Sequence, residues 1–249
     1  MIIKKGKIIK SLKVYLEDDN LDEYMADKED YSFVSVLSYK RISPESDWRV
    51  IEKPTPKIYL SKSIDEIFAN FSDTVRNEIR RTNGLSGLKI ICDDKNLSLT
   101  YKFYKEFEFL QKRVPESYSM FKAMRLFNAY LDGELISSIM CVDSFPYLRA
   151  WAICSKRLKA ENKDLYKIIG FSTKRLIFEI CKLGKKNNYQ VFDLGGVNLI
   201  DPKKAGITKF KSSFGGAIED QYTYEYKSKL FKMMEKLVAI KLIVKKLFR

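Results

Sequence analysis

Apolar and polar residues alternate over 1–16 and 31–42 of this chain, and this period of two predicts β-strands. Further along, apolar residues recur every three or four positions, which predicts helices over 64–71, 73–82, 97–113 and 165–185. Short apolar runs predict strands over 57–60, 88–92, 125–130, 134–142, 147–154, 189–194 and 221–226. This order predicts an α/β (α+β) protein, in which a mixed central sheet is flanked by helices.

Local signals refine the connections between these elements. Ser63 followed by Glu66 forms a capping box, which predicts the start of the helix over 64–71. Asp132 and Gly133 stand between two predicted strands and indicate a hairpin turn. The acidic segment 17–30 is predicted to be a polar loop or a short helix, and the chain over 195–220 a loop. Prolines indicate a further connection before residue 57: Pro44, Pro54 and Pro56.

The charge is large and uneven. The net charge of +14 favours a polyanionic partner, and a solvated lysine-rich surface is the alternative. Residues 227–249 hold eight basic residues and one acid, and apolar residues follow one helical stripe there. This pattern predicts a basic amphipathic helix, which either contacts a membrane surface or docks on the protein's own core. The stripe consists of Met233, Leu237, Ile240, Val244 and Leu247.

The composition excludes several classes of function. The chain has no histidine, so it has neither a Ser–His or Cys–His nucleophilic pair nor an imidazole base. Neither an apolar stretch of membrane-spanning length nor an export signal is present, which favours a cytoplasmic protein. The cysteines are scattered, so we expect buried thiols and no metal site: Cys92, Cys141, Cys154 and Cys181.

Candidate chemistry gathers near the end of the predicted strand over 189–194. The strand carries Asp193 and ends at Gly195 and Gly196, where the backbone can turn or approach a ligand closely. A second glycine pair follows the run Phe210-Lys211-Ser212-Ser213-Phe214. A lysine between aromatic residues is shielded from water, which strengthens its field toward an anion or a developing oxyanion.

These motifs resemble the C-terminal half of the Fem family of aminoacyltransferases. In that family a D-x-G-G strand end precedes an F-K-x-x-F-G-G segment, as it does at 193–196 and 210–216 here. Upstream, a strand, a helix and an R-x-x-I-R pattern at 76–80 are similar to the opening of the family's second acetyltransferase-like unit. The resemblance covers about 57–226. A turn-forming use of the glycines, with no catalytic role, is the alternative.

The resemblance implies the GNAT fold, whose central strands splay apart to bind an acyl donor. It implies three segments: an N-terminal β-rich extension over 1–56, a GNAT-like domain over 57–226, and the C-terminal amphipathic helix over 227–249. The extension is too short to be the complete first unit that family members carry. The peptidoglycan substrate of the family is therefore an open question for this chain.

The resemblance gives Lys211 the stabilisation of the tetrahedral oxyanion, and a lysine stem packed on Phe210 or Phe214 is the alternative. Asp193 is the second catalytic candidate; it orients an attacking amine or accepts hydrogen bonds from the glycine turn. Arg76 and Arg80 share a helix face that suits phosphate binding, or they lie on a solvated face. The candidates for substrate binding are Arg76, Arg80, Trp151, Gly195, Gly196, Phe210, Phe214, Gly215 and Gly216. For Trp151, beside Arg149, core packing is the alternative.

The resemblance implies aminoacyl-tRNA as co-substrate and no tightly bound cofactor. Coenzyme A enzymes of this fold carry a Q/R-x-x-G-x-G/A loop for pyrophosphate, whereas residues 156–164 are basic and contain no glycine. We therefore expect transfer of an aminoacyl group to an amine of a cell-envelope glycan or peptidoglycan precursor. The anionic partner would be tRNA or a phosphorylated or lipid-linked precursor, reached at the inner face of the membrane. Acyl-CoA-dependent or acyl-carrier-dependent acylation of an amino sugar, and a non-enzymatic RNA-binding or membrane-binding module, are the alternatives.

Overall fold

The computed structural model describes residues 1–6, 9–235 and 237. The chain divides into two compact units, one inserted into the sequence of the other. The terminal unit contains Met1–Lys53 and the chain from Asp220 onward, and the central unit contains Pro54–Glu219. Residues 220–226 group with the N-terminal segment, because residues 222–227 pair with residues 33–38.

Within the described residues, the strands are β1 (Ile2–Lys5), β2 (Ser11–Tyr15), β3 (Phe33–Ser38), β4 (Trp48–Tyr59), β5 (Leu88–Cys92), β6 (Arg125–Leu131), β7 (Glu134–Ser144), β8 (Tyr147–Ser155), β9 (Val191–Asp193) and β10 (Ala217–Lys227). The α-helices are α1 (Leu21–Ala26), α2 (Ile64–Asn70), α3 (Asp73–Arg81), α4 (Leu97–Leu110), α5 (Tyr118–Phe121), α6 (Lys163–Lys186) and α7 (Ala205–Ser212). Residues 229–235 are also helical.

The terminal unit is a small sheet with its own core. β1 pairs antiparallel with β2, β2 pairs parallel with β3, and β3 pairs antiparallel with β10. Parallel neighbours need a crossover connection, and the acidic segment 17–30 supplies it with the short helix α1. The core residues of this unit include Leu12, Val14, Leu21, Val34, Val36 and Tyr224.

The central unit is a mixed sheet flanked by helices, which confirms the predicted fold class. β4 pairs antiparallel with β9, β9 pairs parallel with β8, and β8, β7, β6 and β5 follow as antiparallel neighbours. α6 packs along β5 to β9, whereas α4 packs on β6, β7 and β8. Buried apolar side chains from strands and helices form one core, among them Ile67, Ile79, Phe127, Ile139, Leu176, Ile180 and Phe192.

The capping box and the hairpin turn that the sequence predicts are both present in the structure. The Ser63 hydroxyl accepts the Glu66 N–H at 3.2 Å, and the Glu66 carboxylate accepts the Ser63 N–H at 2.8 Å, which completes the capping box. Asp132 and Gly133 adopt φ of 49° and 83°, the left-handed pair that joins β6 and β7 in a tight hairpin.

The prediction of a proline-rich connection before residue 57 is wrong, because β4 runs through Pro54 and Pro56. Each proline carbonyl accepts a hydrogen bond, from Val197 N–H at 2.8 Å and from Leu194 N–H at 3.0 Å. In a strand, the N–H of a residue points to the same side as its carbonyl. The chain that follows β9 donates to these positions and needs no donor from them, so proline is tolerated.

The prediction of a loop over 195–220 is also wrong, because α7 lies within it and carries Lys211. The helix is preceded by a 3₁₀ turn, in which Asp201 caps the Lys203 N–H at 3.0 Å and Pro202 takes the first position. Aspartate followed by proline is a helix-start signal. Gly206 in the first turn weakens the helical pattern.

The predicted C-terminal helix over 227–249 falls largely outside the described residues, since 236 and 238–249 are not among them. Where the segment is described, the Phe231 ring stacks on Phe33 with centroids 5.3 Å apart, and Lys227 pairs with Glu235 at 2.8 Å. Contact of this segment with a membrane stays a prediction. Among the described residues, helices of the length and apolarity needed to cross a membrane are absent.

Candidate functional site

β8 and β9 pair over three residues of each strand. Residues 147–149 of β8 lie opposite 191–193 of β9. β8 continues to Ser155, whereas β9 ends at Asp193. The pairing ends at Asp193, which is where the resemblance predicts that the strands splay, beside the glycine pair that follows β9.

The backbone is tightly packed where the pairing of β8 and β9 ends. Gly195 adopts φ +78°, and a Cβ at this position would lie 2.8 Å from the Ala150 carbonyl oxygen and 3.3 Å from Lys211 Nζ. Trp151 is the extra residue of a β-bulge in β8, because Met140 lies opposite Ala152 and Cys141 opposite Ala150. A side chain at position 195 would therefore displace either β8 or the lysine.

Asp193 is fully buried at the end of β9 and is surrounded by donors. Its carboxylate accepts hydrogen bonds from the Thr55 hydroxyl, the Arg149 guanidinium and, at 2.7 Å, the Gly195 N–H. Thr55 is fully buried as well, and Arg149 nearly so. A buried carboxylate needs such partners because its charge is otherwise costly away from water. Asp193 thus fixes the turn into the glycine pair.

Lys211 reaches the same turn from α7. Its ammonium donates to the carbonyl oxygens of Gly195 at 2.9 Å and Gly196 at 3.0 Å. Burial and the nearby Arg149 cation lower the pKa of Lys211 to about 8, while the Asp193 charge acts in the opposite direction. An ammonium has three N–H groups. Two of them are engaged by the glycine carbonyls, and the third has no acceptor among the described residues.

Aromatic packing holds α7 in this position. The Phe214 ring, which is buried, meets Phe210 at 5.3 Å and Phe71 at 5.1 Å, in edge-to-face geometry. The chain then turns at Gly215, where φ is +65° and a Cβ would overlap the Asn70 carbonyl oxygen at 2.1 Å. The F-K-x-x-F-G-G motif therefore packs the end of α7 against α2 and its last residues, and this packing fixes the position of the helix that carries Lys211.

A pocket of about 220 Å³ lies beside the second glycine pair. Gly216 touches the backbone of Lys57 there, since a Cβ would lie 2.9 Å from the Lys57 carbonyl oxygen. Glu219 accepts hydrogen bonds from Lys57, at 3.0 Å, and from the Tyr59 hydroxyl, which raises the pKa of Tyr59 to about 12. The residues lining the pocket include Lys57, Tyr59, Lys62, Asn70, Phe214 and Gly216.

The structure brings together Lys211, Asp193, Gly195 and Gly196, whereas Arg76 has partners of its own on α2 and α3. Arg76 donates to the Ala69 carbonyl at 2.6 Å, to the Phe71 carbonyl and to Asp73, so it caps the end of α2.

Arg80 lies 5.4 Å from the centre of the Phe68 ring and donates to Asn77 at 3.2 Å. Trp151 packs on Tyr104 of α4, with ring centroids 5.2 Å apart. Their roles in substrate binding stay predictions.

Thr55 is not among the residues predicted from the sequence, and Arg149 was named there only as a neighbour of Trp151. Thr55 stands between two prolines in a segment taken for a connection, so nothing in the pattern linked it to Asp193. The register of β4 against β9, which places Lys57 opposite Asp193, is the missing information. The alternation of β8 did place Arg149 on a strand, but its partner came from a strand that is distant in sequence.

The segment before α6 differs from a pyrophosphate loop. Residues 156–159 form a 3₁₀ turn, and Asn162 caps α6 by accepting the Leu165 N–H at 2.8 Å. This cap occupies a donor that a phosphate would use at a helix N-terminus. Arg157 lies over the Tyr166 ring, 4.0 Å from its centre. In the described part of the chain, clusters of three histidine, cysteine or acidic side chains able to hold a metal ion are absent.

Known structures share this architecture. FemX superimposes with a TM-score of 0.65 at 10% identity, over 95% of this chain and 86% of its own. The chain has a Fem-like fold. The C-terminal DUF2156 domain assigned to a lysylphosphatidylglycerol synthetase from Agrobacterium fabrum gives a TM-score of 0.57 at 11% identity, over 96% of this chain and 84% of its own.

L-PGS from Bacillus licheniformis has the Fem-like fold too, with a TM-score of 0.52 at 14% identity over 95% of this chain and 83% of its own. No family model matches the sequence, and no curated protein matches it. At these identities the likeness shows the fold alone.

Proposed function

We propose that this protein is an acyltransferase that moves an aminoacyl group from aminoacyl-tRNA to an amine. The observation that carries the proposal is the Lys211 ammonium. Two carbonyls of the glycine turn hold it at the end of the β8–β9 pairing, where the resemblance predicts the splay, and its third N–H has no acceptor among the described residues. The Fem-like fold supports this assignment, since acyl donors in such folds enter at the splay.

The proposed reaction is a direct attack of the acceptor on the donor, with no covalent enzyme intermediate. The acceptor amine attacks the ester carbonyl carbon of the donor, a C–N bond forms, and the carbonyl oxygen becomes an oxyanion. A fixed ammonium in a water-poor site stabilises that charge without reorganising. The intermediate collapses with cleavage of the ester C–O bond. The ribose hydroxyl leaves and takes up the proton that the attacking amine releases.

A buried cluster of Thr55, Arg149 and Asp193 positions this lysine. Asp193 has no exposed surface and accepts from three donors, so we assign it a positioning role and not contact with the amine. Through the Gly195 N–H it sets the turn whose carbonyls receive Lys211. Arg149 acts twice, because it neutralises Asp193 and lowers the pKa of Lys211.

For the acceptor, we propose an amine of a cell-envelope glycan or peptidoglycan precursor. The support is the Fem-like fold and the net charge of +14, which attracts phosphorylated precursors and tRNA alike. The capped N-terminus of α6 supports aminoacyl-tRNA over coenzyme A as donor, because the amide donors of a pyrophosphate loop are not arranged there.

The test is Lys211→Met, which keeps the volume of the side chain and removes its charge. With aminoacyl-tRNA and a peptidoglycan-precursor peptide that carries a free amine, we expect amide formation to fall at least tenfold, since one oxyanion donor is typically worth 10²–10³ in rate. The product is measured by mass spectrometry, and circular dichroism verifies the fold.

Lys209→Met is the matched control, because Lys209 lies on the same helix with its side chain exposed. We expect its turnover to equal that of the wild-type protein. Equal turnover in Lys211→Met would remove Lys211 from the mechanism. Equal losses in both variants would assign the effect to the charge of α7 as a whole.

A further inference from the structure

The segment 198–209, which joins β9 to the end of α7, exposes aliphatic side chains that no other part of the described chain covers. Ile200 is 93% exposed, Leu199 59% and Ile207 57%. Exposed apolar side chains are ordinary when single. These three, within nine residues of an ordered turn and helix, are called here the Ile200 patch, and grouped exposed apolar side chains mark interaction sites.

Hydrogen bonds hold the Ile200 patch in its exposed conformation. The Asn198 side-chain oxygen accepts the N–H groups of Ile200, at 3.0 Å, and Asp201, at 2.8 Å. The Thr208 hydroxyl donates to the Asn198 carbonyl at 2.8 Å, so the turn is fastened to α7. The turn therefore keeps Ile200 away from the protein core.

The charge around the patch is basic. The segment 198–209 contains Lys203, Lys204 and Lys209 and a single acid, Asp201. Asp201 caps the 3₁₀ turn through the Lys203 N–H and lies 3.9 Å from Lys204. In the described chain, neither Lys203 nor Lys209 has an acidic partner. The patch thus combines aliphatic side chains with uncompensated positive charge.

The Ile200 patch is joined to the candidate site at both ends. Asn198 follows Gly196 by two residues, and the Gly196 carbonyl accepts from Lys211. Ile207 precedes Lys211 by four residues, so the two side chains share a face of α7. A surface that binds the patch is therefore brought next to the acyl-transfer centre.

We infer that the Ile200 patch docks on an anionic lipid bilayer and presents the Lys211 site to an acceptor at the membrane surface. Aliphatic side chains beside lysines suit the boundary between acyl chains and acidic headgroups. RNA would instead favour aromatic side chains, on which bases stack. A second copy would place like charges opposite each other across a two-fold axis.

The test uses the full chain and sedimentation with vesicles. We expect the protein to bind mixed phosphatidylcholine–phosphatidylglycerol vesicles more tightly than pure phosphatidylcholine vesicles. Ile200→Ser should weaken binding to the mixed vesicles about tenfold, since burying an isoleucine is worth roughly one to two factors of ten. Replacing Lys203 and Lys204 together by Gln should weaken it at least about tenfold.

Val114→Ser is the matched control, because Val114 is 92% exposed and also follows basic residues, but lies outside the segment 198–209. Its binding should equal that of the wild-type protein. Wild-type binding in Ile200→Ser, equal binding to neutral vesicles, or a wild-type dimer that Ile200→Ser dissolves would each overturn the inference.

The inference goes beyond the proposed chemistry and fails separately from it. Ile200→Ser should transfer to a soluble peptide acceptor at the wild-type rate, while Lys211→Met should bind vesicles as the wild-type protein does. A loss of transfer in Lys211→Met with no vesicle binding by any variant would leave the chemistry standing and reject the membrane surface.

Discussion

A lysine that titrates near pH 8 is a cation whose charge responds to the conditions of the cell. Lys211 reaches this state because it is largely buried and Arg149 is near, although Asp193 acts in the opposite direction. At neutral pH it is mostly protonated and able to stabilise an oxyanion. In alkaline solution it loses the proton at a lower pH than an exposed lysine would.

The pH dependence of transfer should therefore report on Lys211. We expect the ratio of the wild-type rate to the Lys211→Arg rate to fall as pH rises through about 8, because arginine keeps its charge. The ratio cancels the titration of the acceptor amine, which both proteins share. The measurement is kcat/KM for the soluble peptide acceptor from pH 6 to about 10. A ratio that rises with pH would indicate that the neutral lysine acts as a base.

At the level of residues, the sequence led to the lysine but not to its surroundings. The F-K-x-x-F-G-G motif and the strand end at Asp193 identified two members of the cluster, because each is a local pattern. Thr55 and Arg149 could not be identified in this way. Their partner Asp193 is 138 and 44 residues away in sequence, and only strand register brings them together.

At the level of elements, the turn after β9 tolerates little change. Gly195 combines a left-handed conformation with contact to the Ala150 carbonyl oxygen and Lys211 Nζ. We expect Gly195→Ala to destabilise the protein by at least about 1–2 kcal/mol, the cost of the left-handed conformation alone, and to lower transfer by displacing the lysine. Chemical denaturation and the transfer assay measure the two effects.

Gly206→Ala provides the comparison for this prediction. Gly206 lies on α7, and a Cβ there would meet no atom within 4 Å. We expect it to stabilise the protein by up to about 1 kcal/mol, because alanine favours a helix over glycine. Destabilisation of equal size at both glycines would contradict the role assigned to the turn.

The elements themselves were largely predictable wherever a strong periodic pattern ran for several turns or strand positions. α2, α3, α4, α6 and the hairpin of β6 and β7 have such patterns or clear caps. The part of β4 before residue 57 and helix α7 were missed because the expected penalties of proline and glycine did not apply locally. In β4 the chain opposite the two prolines donates hydrogen bonds to their carbonyls, so the N–H groups that proline lacks are not needed. In α7 the helix-start signal of Asp201 and Pro202 outweighs the unfavourable Gly206.

At the level of the whole molecule, we expect the excess of basic residues to favour aminoacyl-tRNA over coenzyme A as the acyl donor. With a net charge of +14, we expect aminoacyl-tRNA to bind with a dissociation constant that rises at least about tenfold between 50 and 200 mM salt, as for two or more phosphate contacts. We expect coenzyme A to give no heat of binding by calorimetry. Micromolar binding of coenzyme A, together with salt-independent binding of tRNA, would favour an acyl-CoA donor.

The insertion of the central unit into the terminal unit has a consequence for synthesis on the ribosome. β3 pairs with β10, and the Ile42 N–H donates to the Tyr224 hydroxyl, 182 residues later. At about 5–20 residues per second, this partner emerges on the order of 10–40 s after β3. Pro54–Glu219 is complete before then, whereas the N-terminal strands wait with an unpaired edge, which is a liability for aggregation. The nascent chain therefore matures from its middle outward, and a premature stop before β10 would retain Lys211 yet leave the first strands without their partner.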